Sequence, residues 1–477
     1  MQIDSLAFAS IKGFDARQEI GLKNLNLIYG ANSSGKSSIF QALLLLQQSA
    51  QRAYGADRGV LEFRGSSVDL GGYRTFVHRH ETKRPFTIEF GLSDQVRRPD
   101  NHGTMFFTGE IRVALTFGIL GDDPEPDVVA VRISDAKNAV SFNHAGEPGI
   151  LRLADSSSAQ SMIQIWANSW AERDKNPYDL PSRYRRSIGD WLMRQEFSLH
   201  GWFPVLPLAL IRGPKKRESS KGDSFRDDLI ENLIYRWYQW QTDFAYELFE
   251  VLGRMIYVGP LREFPRRVVT EASNVEGVGV RGERLVLHLA RRQDLIERVN
   301  DAFLALDINY ELTVEQLKAY GTEDALGDVA IAVLKDKVTG VSVSPADVGF
   351  GLSQILPVVV QLVGNTNKII LVEQPEIHLH PKVQSRLADL LIASSVENNN
   401  TILVETHSEH LLLRAQRRLR ERSVKGFTPA KLGIHYVSAA RGKRLVQTLR
   451  ISDNGSLVDP WPEGFFDERM DDLFAGV

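Results

Sequence analysis

The hydrophobic pattern near the N-terminus predicts two strands followed by a helix. Residues 2–9 and 22–29 are apolar and strand-like, and the second run leads directly into a glycine-bearing turn. Residues 36–51 then place apolar side chains at helical spacing along one face. This part of the chain is therefore expected to contain a strand, a tight loop and a helix in immediate succession.

The middle of the chain changes from strand patterns to helix patterns. Alternating runs at 86–91 and 110–117, broken by turn residues, predict antiparallel strands that continue to about residue 150. From about 155 to 255, runs of mixed polarity rich in tryptophan and arginine predict helices, with an exposed loop at 212–222. From 325 onward strands and helices alternate, which is typical of an α/β layer.

Composition excludes several classes of protein. A chain of 477 residues, 43% of them hydrophobic, has material for more than one core and is not disordered as a whole. The absence of cysteine excludes disulfides, thiol catalysis and zinc sites built on thiolates. A net charge of −3 indicates neither nucleic acid nor a membrane as partner. No apolar run approaches the about 18 residues of a membrane span, and the N-terminus lacks signal-peptide features, so we expect a cytoplasmic protein without membrane contact.

The strongest chemical signal is Gly-Ala-Asn-Ser-Ser-Gly-Lys-Ser-Ser at residues 30–38, which fits G-x-x-x-x-G-K-[ST]. Glycines let backbone N–H groups surround a phosphate at a helix N-terminus. Lys36 supplies a charge for the β- and γ-phosphates, and Ser37 a hydroxyl for Mg²⁺. A chance turn is the alternative, and the flanking strand and helix disfavour it. ATP and Mg²⁺ are the expected cofactors, and the expected nucleotide-binding residues are Gly30, Asn32, Ser33, Ser34, Gly35, Lys36, Ser37 and Ser38.

Two apolar strands in the C-terminal half end in residues that suit a nucleotide site. Residues 368–376 carry Glu373, which we interpret as the acid on the Mg²⁺ side, acting through a water. Residues 401–408 carry His407, which is placed to sense the γ-phosphate. A capping acid and a core histidine are the structural alternatives, and the phosphate loop favours the functional interpretation. The histidines of this region, near Glu376, match no standard zinc spacing: His378, His380, His407 and His410.

Further motifs accompany the phosphate loop. They are Val-Gly-Phe-Gly-Leu-Ser-Gln-Ile-Leu-Pro at 348–357, Glu-Gln-Pro-Glu-Ile-His-Leu-His-Pro at 373–381, Glu-Thr-His-Ser at 405–408 and Trp-Pro-Glu-Gly-Phe-Phe-Asp at 461–467. In combination they resemble the ABC-type ATPases of the OLD, RecF and SMC branch, and most closely the stand-alone OLD-like ATPases of bacteria. The resemblance covers about half of the chain, and the predicted helical segment carries no motif of this group.

The resemblance implies an α/β fold, a P-loop NTPase of the ABC-head type whose mixed sheet is joined by a β-rich N-terminal lobe and a mainly helical insert. We accordingly expect an N-terminal ATPase lobe at 1–150, the insert at 151–255, a C-terminal ATPase lobe at 256–450 and an acidic tail at 451–477. The acidic tail is interpreted as solvated surface or a docking edge.

The resemblance also implies an ATP sandwich, in which each of two nucleotides touches the phosphate loop of one chain and the signature segment, 349–354, of the other. A homodimer or higher oligomer is therefore expected. Glycine permits close backbone approach to a phosphate, and the following helix directs its N-terminus at anionic oxygens. The signature residues expected to reach the nucleotide are Gly349, Gly351, Ser353 and Gln354.

One position departs from the family pattern. In ABC enzymes a catalytic glutamate directly follows the metal-side acid, and here that position is Gln374. Glutamine orients water but is a poor base, so we expect slow hydrolysis or substitution by Glu376. The expected catalytic residues are Gln374, Glu376 and His407. Full OLD proteins also carry a C-terminal nuclease domain, and about 100 residues after Glu373 are too few for one.

Contact with nucleic acid remains an open alternative. The arginine-rich stretch 414–422 suits non-specific phosphate contacts, although a solvated helix face is the structural alternative. Arg262, Arg266 and Arg267 suit a nucleotide, a second subunit or nucleic acid equally well. Three functions are therefore weighed: an ATP-driven switch for a separately encoded effector, as in anti-phage defence, a RecF-like DNA-binding ATPase in repair, and a nucleotide-sensing scaffold. An adjacent nuclease or toxin gene would favour the first.

Overall fold

The structure of the chain is a computed structural model. The structure describes residues 1–53, 56–93, 107, 109–121, 123–174, 180–206, 221–271, 277–317, 328–440 and 442–462. The contacts divide the chain into two units, Met1–Ile20 with Ser38–Gly253, and Gly21–Ser37 with Arg254–Val477. Most of the predicted loop at 212–222, and residues 463–477 of the predicted acidic tail, lie outside the described residues.

The described part of the chain forms both strands and helices. The strands are β1 (Gln2–Ala9), β2 (Gln18–Gly21), β3 (Leu25–Gly30), β4 (Phe86–Ser93), β5 (Ile111–Ile119), β6 (Pro126–Ser134), β7 (Ala139–His144), β8 (Ile150–Leu153), β9 (Phe197–His200), β10 (Phe203–Val205), β11 (Met255–Val258), β12 (Val269–Glu271), β13 (Tyr310–Leu317), β14 (Asp328–Asp336), β15 (Ser342–Val343), β16 (Ile369–Glu373), β17 (Thr401–Glu405), β18 (Leu432–Ala440) and β19 (Lys443–Leu449). The helices are α1 (Lys36–Ala53), α2 (Tyr73–Phe76), α3 (Ser156–Asp174), α4 (Ser182–Leu192), α5 (Lys221–Gly253), α6 (Leu285–Arg291), α7 (Asp294–Leu306), α8 (Phe350–Gly364), α9 (Pro381–Val396) and α10 (Glu409–Glu421).

The first unit is built on a sheet whose strands follow the order β10-β9-β8-β7-β6-β5-β4-β1-β2 in the described part of the chain. From β1 through β4 to β10 the neighbours pair antiparallel. Alternate residues of β4 are buried, as expected for a sheet with one face on a core. The antiparallel strands that the sequence predicts from residue 86 to about residue 150 are therefore present.

The predicted helical insert is part of this first unit. It contains α3, α4 and α5, as predicted, but it also contributes β9 and β10, which extend the antiparallel sheet. Its tryptophans share a core with the sheet: the Trp237 ring lies 6.0 Å from Phe142, and the Trp202 ring 6.2 Å from Phe117. Large aromatic side chains need a partner surface for burial, and the sheet provides it. The structure thus places no unit boundary at residue 150.

The second unit is built on a mixed sheet in the order β11-β16-β17-β3-β18-β19. The strands from β11 to β18 are parallel, and β19 pairs antiparallel with β18 at the edge. Strands β16 and β17 are buried at every position, as expected for parallel strands covered on both faces. Helix α8 is apolar all round and lies in this core, the usual position for such a helix.

The strand that precedes the phosphate loop belongs to the second unit rather than to an N-terminal lobe. Strand β3 lies between β17 and β18, both from the C-terminal part of the chain. The pairing of parallel strands far apart in sequence, which local patterns do not reveal, is the reason for this difference from the predicted segments. The predicted α/β architecture, with a mixed sheet, a β-rich part and helices in the insert, is confirmed.

Smaller elements complete the second unit. Strands β12, β13, β14 and β15 form an antiparallel sheet, against which α6 packs. Near the end of the described chain, the Trp461 ring lies 5.5 Å from Tyr29 of β3, edge to face. Within the described residues, no helix has the length and apolar character needed to cross a membrane.

A buried histidine connects the centre of the mixed sheet to its antiparallel edge. His435 of β18 is fully buried, with Nδ1 2.9 Å from the Thr448 hydroxyl and Nε2 3.4 Å from the Asn26 Oδ1 atom. Burial, assisted by the charge of Lys23, lowers the pKa of His435 from 6.5 to about 3. The folded protein therefore keeps this imidazole neutral at a pH where the unfolded chain protonates it.

The free energy of unfolding should consequently fall as the pH drops below about 6.5, because the unfolded chain then binds the additional proton. Between pH 6.5 and 5 we expect His435 to account for a loss of up to about 2 kcal/mol. Urea unfolding of the parent, of His435→Gln and of the exposed control His144→Gln across this range measures the effect. The slope should be reduced in His435→Gln alone, and identical slopes in all three proteins would contradict the assignment.

Candidate nucleotide site

The phosphate loop joins β3 to α1, and glycines shape both of its ends. Gly30 has a φ of +148°, and a Cβ there would collide with the Val437 carbonyl oxygen and lie 2.8 Å from the Ser34 hydroxyl. Gly35 has a φ of +109°, which side chains rarely adopt. Asn32 and Ser33 are exposed, so the outer part of the loop is open to a ligand.

Two side chains at the start of α1 lie beneath the loop. The Lys36 side chain is only 4% exposed, and its Nζ donates to the carbonyl oxygens of Gly30 and Ala31 at 2.9 and 3.0 Å. Burial lowers the pKa of Lys36. The Ser37 hydroxyl donates to Glu405 at 2.8 Å. Ser38 follows in the helix and is buried. The loop thus holds an ammonium and a hydroxyl where a bound phosphate and its metal would need them.

The Ser34 hydroxyl indicates that the phosphate loop is suited to a ligand with a hydrogen-bond acceptor. It is buried and makes no hydrogen bond within the part of the chain that the structure describes. Buried polar atoms in folded proteins are normally paired. An anionic ligand enclosed by the loop would provide an acceptor for this donor.

Two glutamates stand side by side at the carboxyl ends of adjacent parallel strands. Glu373 ends β16 and Glu405 ends β17, and the two residues are register partners. The Tyr257 hydroxyl donates to Glu373 at 2.7 Å, while Glu405 accepts from Ser37 and lies 3.9 Å from the Lys36 Nζ. Burial raises the pKa of Glu373, and burial with the charge of Glu373 raises that of Glu405 to about 7.

The sequence interpretation missed Glu405. Its signal was nevertheless present, because the run Ile-Leu-Val-Glu occurs at 370–373 and again at 402–405. Parallel neighbours in register bring the ends of two such runs together. Recognising the second copy would have predicted a pair of carboxylates rather than a single metal-side acid.

Glu376 and His407 connect the loops that follow these two strands. The His407 backbone N–H donates to Glu376 Oε1 at 2.7 Å, and Glu376 Oε2 is buried without a hydrogen bond to any described residue. Burial raises the pKa of Glu376 and lowers that of His407. Glu376 is therefore fixed through one oxygen, and its other oxygen is available to a water or a ligand.

Gln374 adopts a backbone conformation that is unusual for a residue with a side chain. Its φ is +46°, in the left-handed region. Its N–H donates to the Glu405 carbonyl at 2.7 Å, and its own carbonyl accepts from Arg262 Nη1 at 3.1 Å. Arg262 Nη2 also donates to the Glu373 carbonyl at 2.6 Å. Backbone hydrogen bonds on both sides thus hold Gln374 in place.

Arg262, Arg266 and Arg267, for which the sequence predicts the same possible partners, differ in burial in the structure. Arg262 is buried, and its guanidinium donates to the backbone of the acidic strand. Burial lowers the pKa of Arg262 to about 10. Arg267 is largely exposed and forms an ion pair with Asp347, and Arg266 is exposed too, 3.8 Å from Glu263. Arg262 is consequently not on a surface available to nucleic acid.

The signature segment divides into an exposed and a buried half. Gly349, the N-cap residue of α8, is exposed, and a Cβ there would meet open space. Gly351 allows close packing, since a Cβ there would lie 2.5 Å from the His378 carbonyl oxygen. Ser353 is buried and donates to the Phe350 carbonyl at 2.7 Å. Gln354 is buried as well, bonded to the Arg262 backbone. Only the first half of the segment is open to a second molecule.

The donor set suits magnesium better than zinc. In the described part of the chain, no group of three or more histidine, cysteine, aspartate and glutamate side chains is placed to hold a metal ion. His380 caps α9, and His378 packs on Phe350. Mg²⁺ prefers oxygen ligands and is often bound by one or two carboxylates together with substrate phosphates. Ser37 and Glu373, with Glu405 beside them, offer such a set.

Ion pairs occupy much of the arginine-rich helix α10. Arg414 and Arg418 both donate to Asp389 of α9, with nitrogen–oxygen distances of 2.7 and 2.6 Å. Arg417 pairs with Glu421 at 2.6 Å. These contacts favour the structural alternative for this stretch.

Family models match separate parts of the chain. "AAA ATPase domain" matches residues 290–412, which include the signature and both acidic strands, and "AAA domain, putative AbiEii toxin, Type IV TA system" matches 25–103, which include the phosphate loop. "Protein of unknown function (DUF3696)" matches 428–475. No curated protein matches the chain. The two AAA matches and the loop geometry identify a P-loop ATPase.

Solved structures with a similar architecture include SMC head domains. The head domain from Thermotoga maritima is 11% identical, with a TM-score of 0.37, and the match covers 94% of this chain and 100% of that one. An Smc head with an extended coiled coil from Pyrococcus furiosus, bound to the C-terminal domain of ScpA, is 12% identical, with a TM-score of 0.39 and coverage of 99% and 98%.

Replacement of Lys36 by methionine should weaken ATP binding by about 10–100-fold, because the loop loses the charge that faces the phosphates. Titration calorimetry with ATP and Mg²⁺ measures the affinity, and circular dichroism checks the fold. Lys382→Met, which removes an exposed lysine paired with Asp307, serves as the control and should bind ATP like the parent. Unchanged affinity in Lys36→Met would show that the loop does not bind phosphate.

Proposed function

We propose that this AAA-type P-loop ATPase binds ATP with Mg²⁺, hydrolyses it slowly and acts as a nucleotide-dependent switch for a separately encoded effector protein. The observation that carries the proposal is the arrangement beneath the phosphate loop. Lys36 and Ser37 face the carboxylates of Glu373 and Glu405 at the ends of adjacent parallel strands. Nucleotides bind to open α/β sheets at this edge.

The residues of the site divide the work of binding. Backbone N–H groups of the loop and the Lys36 ammonium hold the β- and γ-phosphates, and the loop glycines permit the close approach. Ser37 and Glu373 would hold Mg²⁺, which neutralises charge on the phosphate oxygens. His407 is close enough to Lys36 for the Lys36 charge to add to the effect of burial in lowering the pKa of His407. This position suits His407 to sense the γ-phosphate. The low pKa of His407 keeps the imidazole neutral and able to donate one hydrogen bond.

Slow turnover follows from the chemistry at Gln374. An amide side chain orients water but does not accept its proton at neutral pH. Glu376 is the alternative base, because burial raises its pKa and its Oε2 atom is not engaged by the described residues. Gln374 would therefore orient the water, and Glu376 is the candidate to accept its proton.

Two heads are proposed to come together on ATP, by similarity to the ABC-type sandwich. The surface that supports this is the exposed N-terminus of α8 at Gly349 and Phe350. Helix N-termini bind anionic oxygens through their free N–H groups. The backbone at this helix start, rather than the buried side chains of Ser353 and Gln354, would contact the nucleotide of the second copy.

A switch requires a partner that reads it. We infer an OLD-like, cytoplasmic ATPase in anti-phage defence whose effector is a separate protein, and the support for this inference is the resemblance of its motifs to those of the stand-alone OLD-like ATPases. The RecF-like alternative, direct action on DNA, is less well supported, because Asp389 and Glu421 occupy arginines of the predicted basic stretch.

Replacement of Gln374 by glutamate should raise kcat by about tenfold or more, since it restores a general base. Glu373→Gln should reduce hydrolysis to background by weakening the magnesium site. Steady-state phosphate release measures both, and the exposed Glu311→Gln is the matched control with parental activity.

The purified parent should leave plasmid DNA and RNA intact in Mg²⁺ or Mn²⁺.

Two results would contradict this account. A fast parental rate that does not change when Gln374 is replaced would contradict the slow turnover that we attribute to Gln374. Nucleic acid cleavage that copurifies with the chain and disappears in Lys36→Met would make the protein its own effector.

Association should depend on the exposed start of α8. Gly349→Arg has room for its side chain in the isolated chain but places a bulky cation where the second copy would contact nucleotide. Light scattering with a non-hydrolysable ATP analogue should show a doubled mass for the parent and for the exposed control Val338→Arg, but not for Gly349→Arg. A parental mass that does not respond to the analogue contradicts a nucleotide-dependent sandwich.

A further inference from the structure

Arg262 is a buried cation whose contacts are unusual. Its side chain is 4% exposed, and both terminal nitrogens donate to backbone carbonyls, those of Glu373 and Gln374, rather than to a carboxylate. Its Nε is buried without a partner among the described residues. Burial of a guanidinium is costly unless its donors are satisfied. The hydrogen bonds that compensate for the burial of this arginine are therefore those to the backbone at the end of β16.

The strand end needs such support because Gln374 has a left-handed backbone. A side-chain-bearing residue persists in this region only when its surroundings fix it. Arg262 binds the Gln374 carbonyl, and the Glu405 carbonyl binds the Gln374 N–H. The Arg262 guanidinium therefore helps to fix the backbone of Gln374, and with it the direction in which the Gln374 side chain leaves the backbone.

The backbone of the same arginine is tied to the signature helix. The Arg262 N–H donates to Gln354 Oε1, and the Gln354 amide donates to the Arg262 carbonyl, each at 3.4 Å. Two residues further on, the Phe264 ring stacks on Phe350 at 6.3 Å between centroids. The segment around Arg262 therefore contacts α8 at its exposed N-terminus and in its buried first turn.

We propose that Arg262 is a positioning residue that transmits the engagement of α8 by the second copy's nucleotide to Gln374 in the same chain. This inference rests on the proposed function, since it assumes ATP hydrolysis and the sandwich. When α8 shifts, Gln354 and Phe350 move the Arg262 segment, and the guanidinium moves the carbonyls that set the backbone of Gln374. One nucleotide thereby controls the water-orienting residue at the other.

Three variants test the connection. Arg262→Lys keeps the charge but loses the fork that binds two carbonyls, and Gln354→Met removes the link to α8 with little change in volume. Each should lower kcat by about 10–100-fold while KM stays within about twofold, because ground-state ATP binding uses other residues. The double variant should be no slower than the worse single variant, since both act through one connection. Arg414→Lys, at a structural ion pair, should behave like the parent.

The outcomes separate the connection from the proposed function. A parent that does not hydrolyse ATP removes the proposed function and this inference with it. Lys36-dependent hydrolysis with normal kcat in Arg262→Lys or Gln354→Met overturns the connection alone, as do additive losses in the double variant. A raised KM that matches the loss of kcat/KM would place Arg262 in ATP binding and overturn it too. If Arg262→Lys does not fold, Gln354→Met decides by the same split between kcat and KM.

Discussion

The structure of the site depends on the burial of several carboxylates beside a phosphate-binding loop. Glu373, Glu376 and Glu405 are all buried, and the cations buried with them are Lys36 and Arg262. Burying charge is unfavourable unless partners compensate it, and three acids beside two cations leave an excess of negative charge. Burial raises the pKa of each of the three acids, and the neighbouring charge of Glu373 adds to the rise at Glu405, so ionisation of the whole group is unfavourable. A divalent cation would relieve it, so binding of a metal nucleotide and stabilisation of the site have the same origin.

The order of the parallel strands brings the buried carboxylates next to the phosphate loop. Strand β17 lies between β3 and β16, so the ends of all three meet at one edge of the sheet. The phosphate loop follows β3, Glu405 ends β17 and Glu373 ends β16. Each residue comes from a rigid, fully buried strand, which fixes the distances that phosphate and metal binding require.

The signature segment has one exposed half and one buried half because of its position in the fold. Its exposed half, at Gly349, faces outward at a helix start, whereas its buried half contacts the segment that fixes Gln374. A surface event at the first half therefore has a physical route to the acidic strand through the second. Such a route needs a packed connection with defined hydrogen bonds, and Gln354 and Arg262 provide one.

The sequence by itself determined the phosphate loop, the strand and helix on either side of it, the acidic strand and the α/β class, because glycine spacing and apolar periodicity act over a few residues. The tertiary structure decided the rest. The pairing of Glu405 with Ser37, the burial of Ser353 and Gln354, the contact of Arg262 with Gln374 and the inclusion of the helical insert in the first unit are not encoded in any local pattern. They arise from contacts between residues far apart in the chain, such as 37 and 405, and the order in which parallel strands assemble sets these contacts.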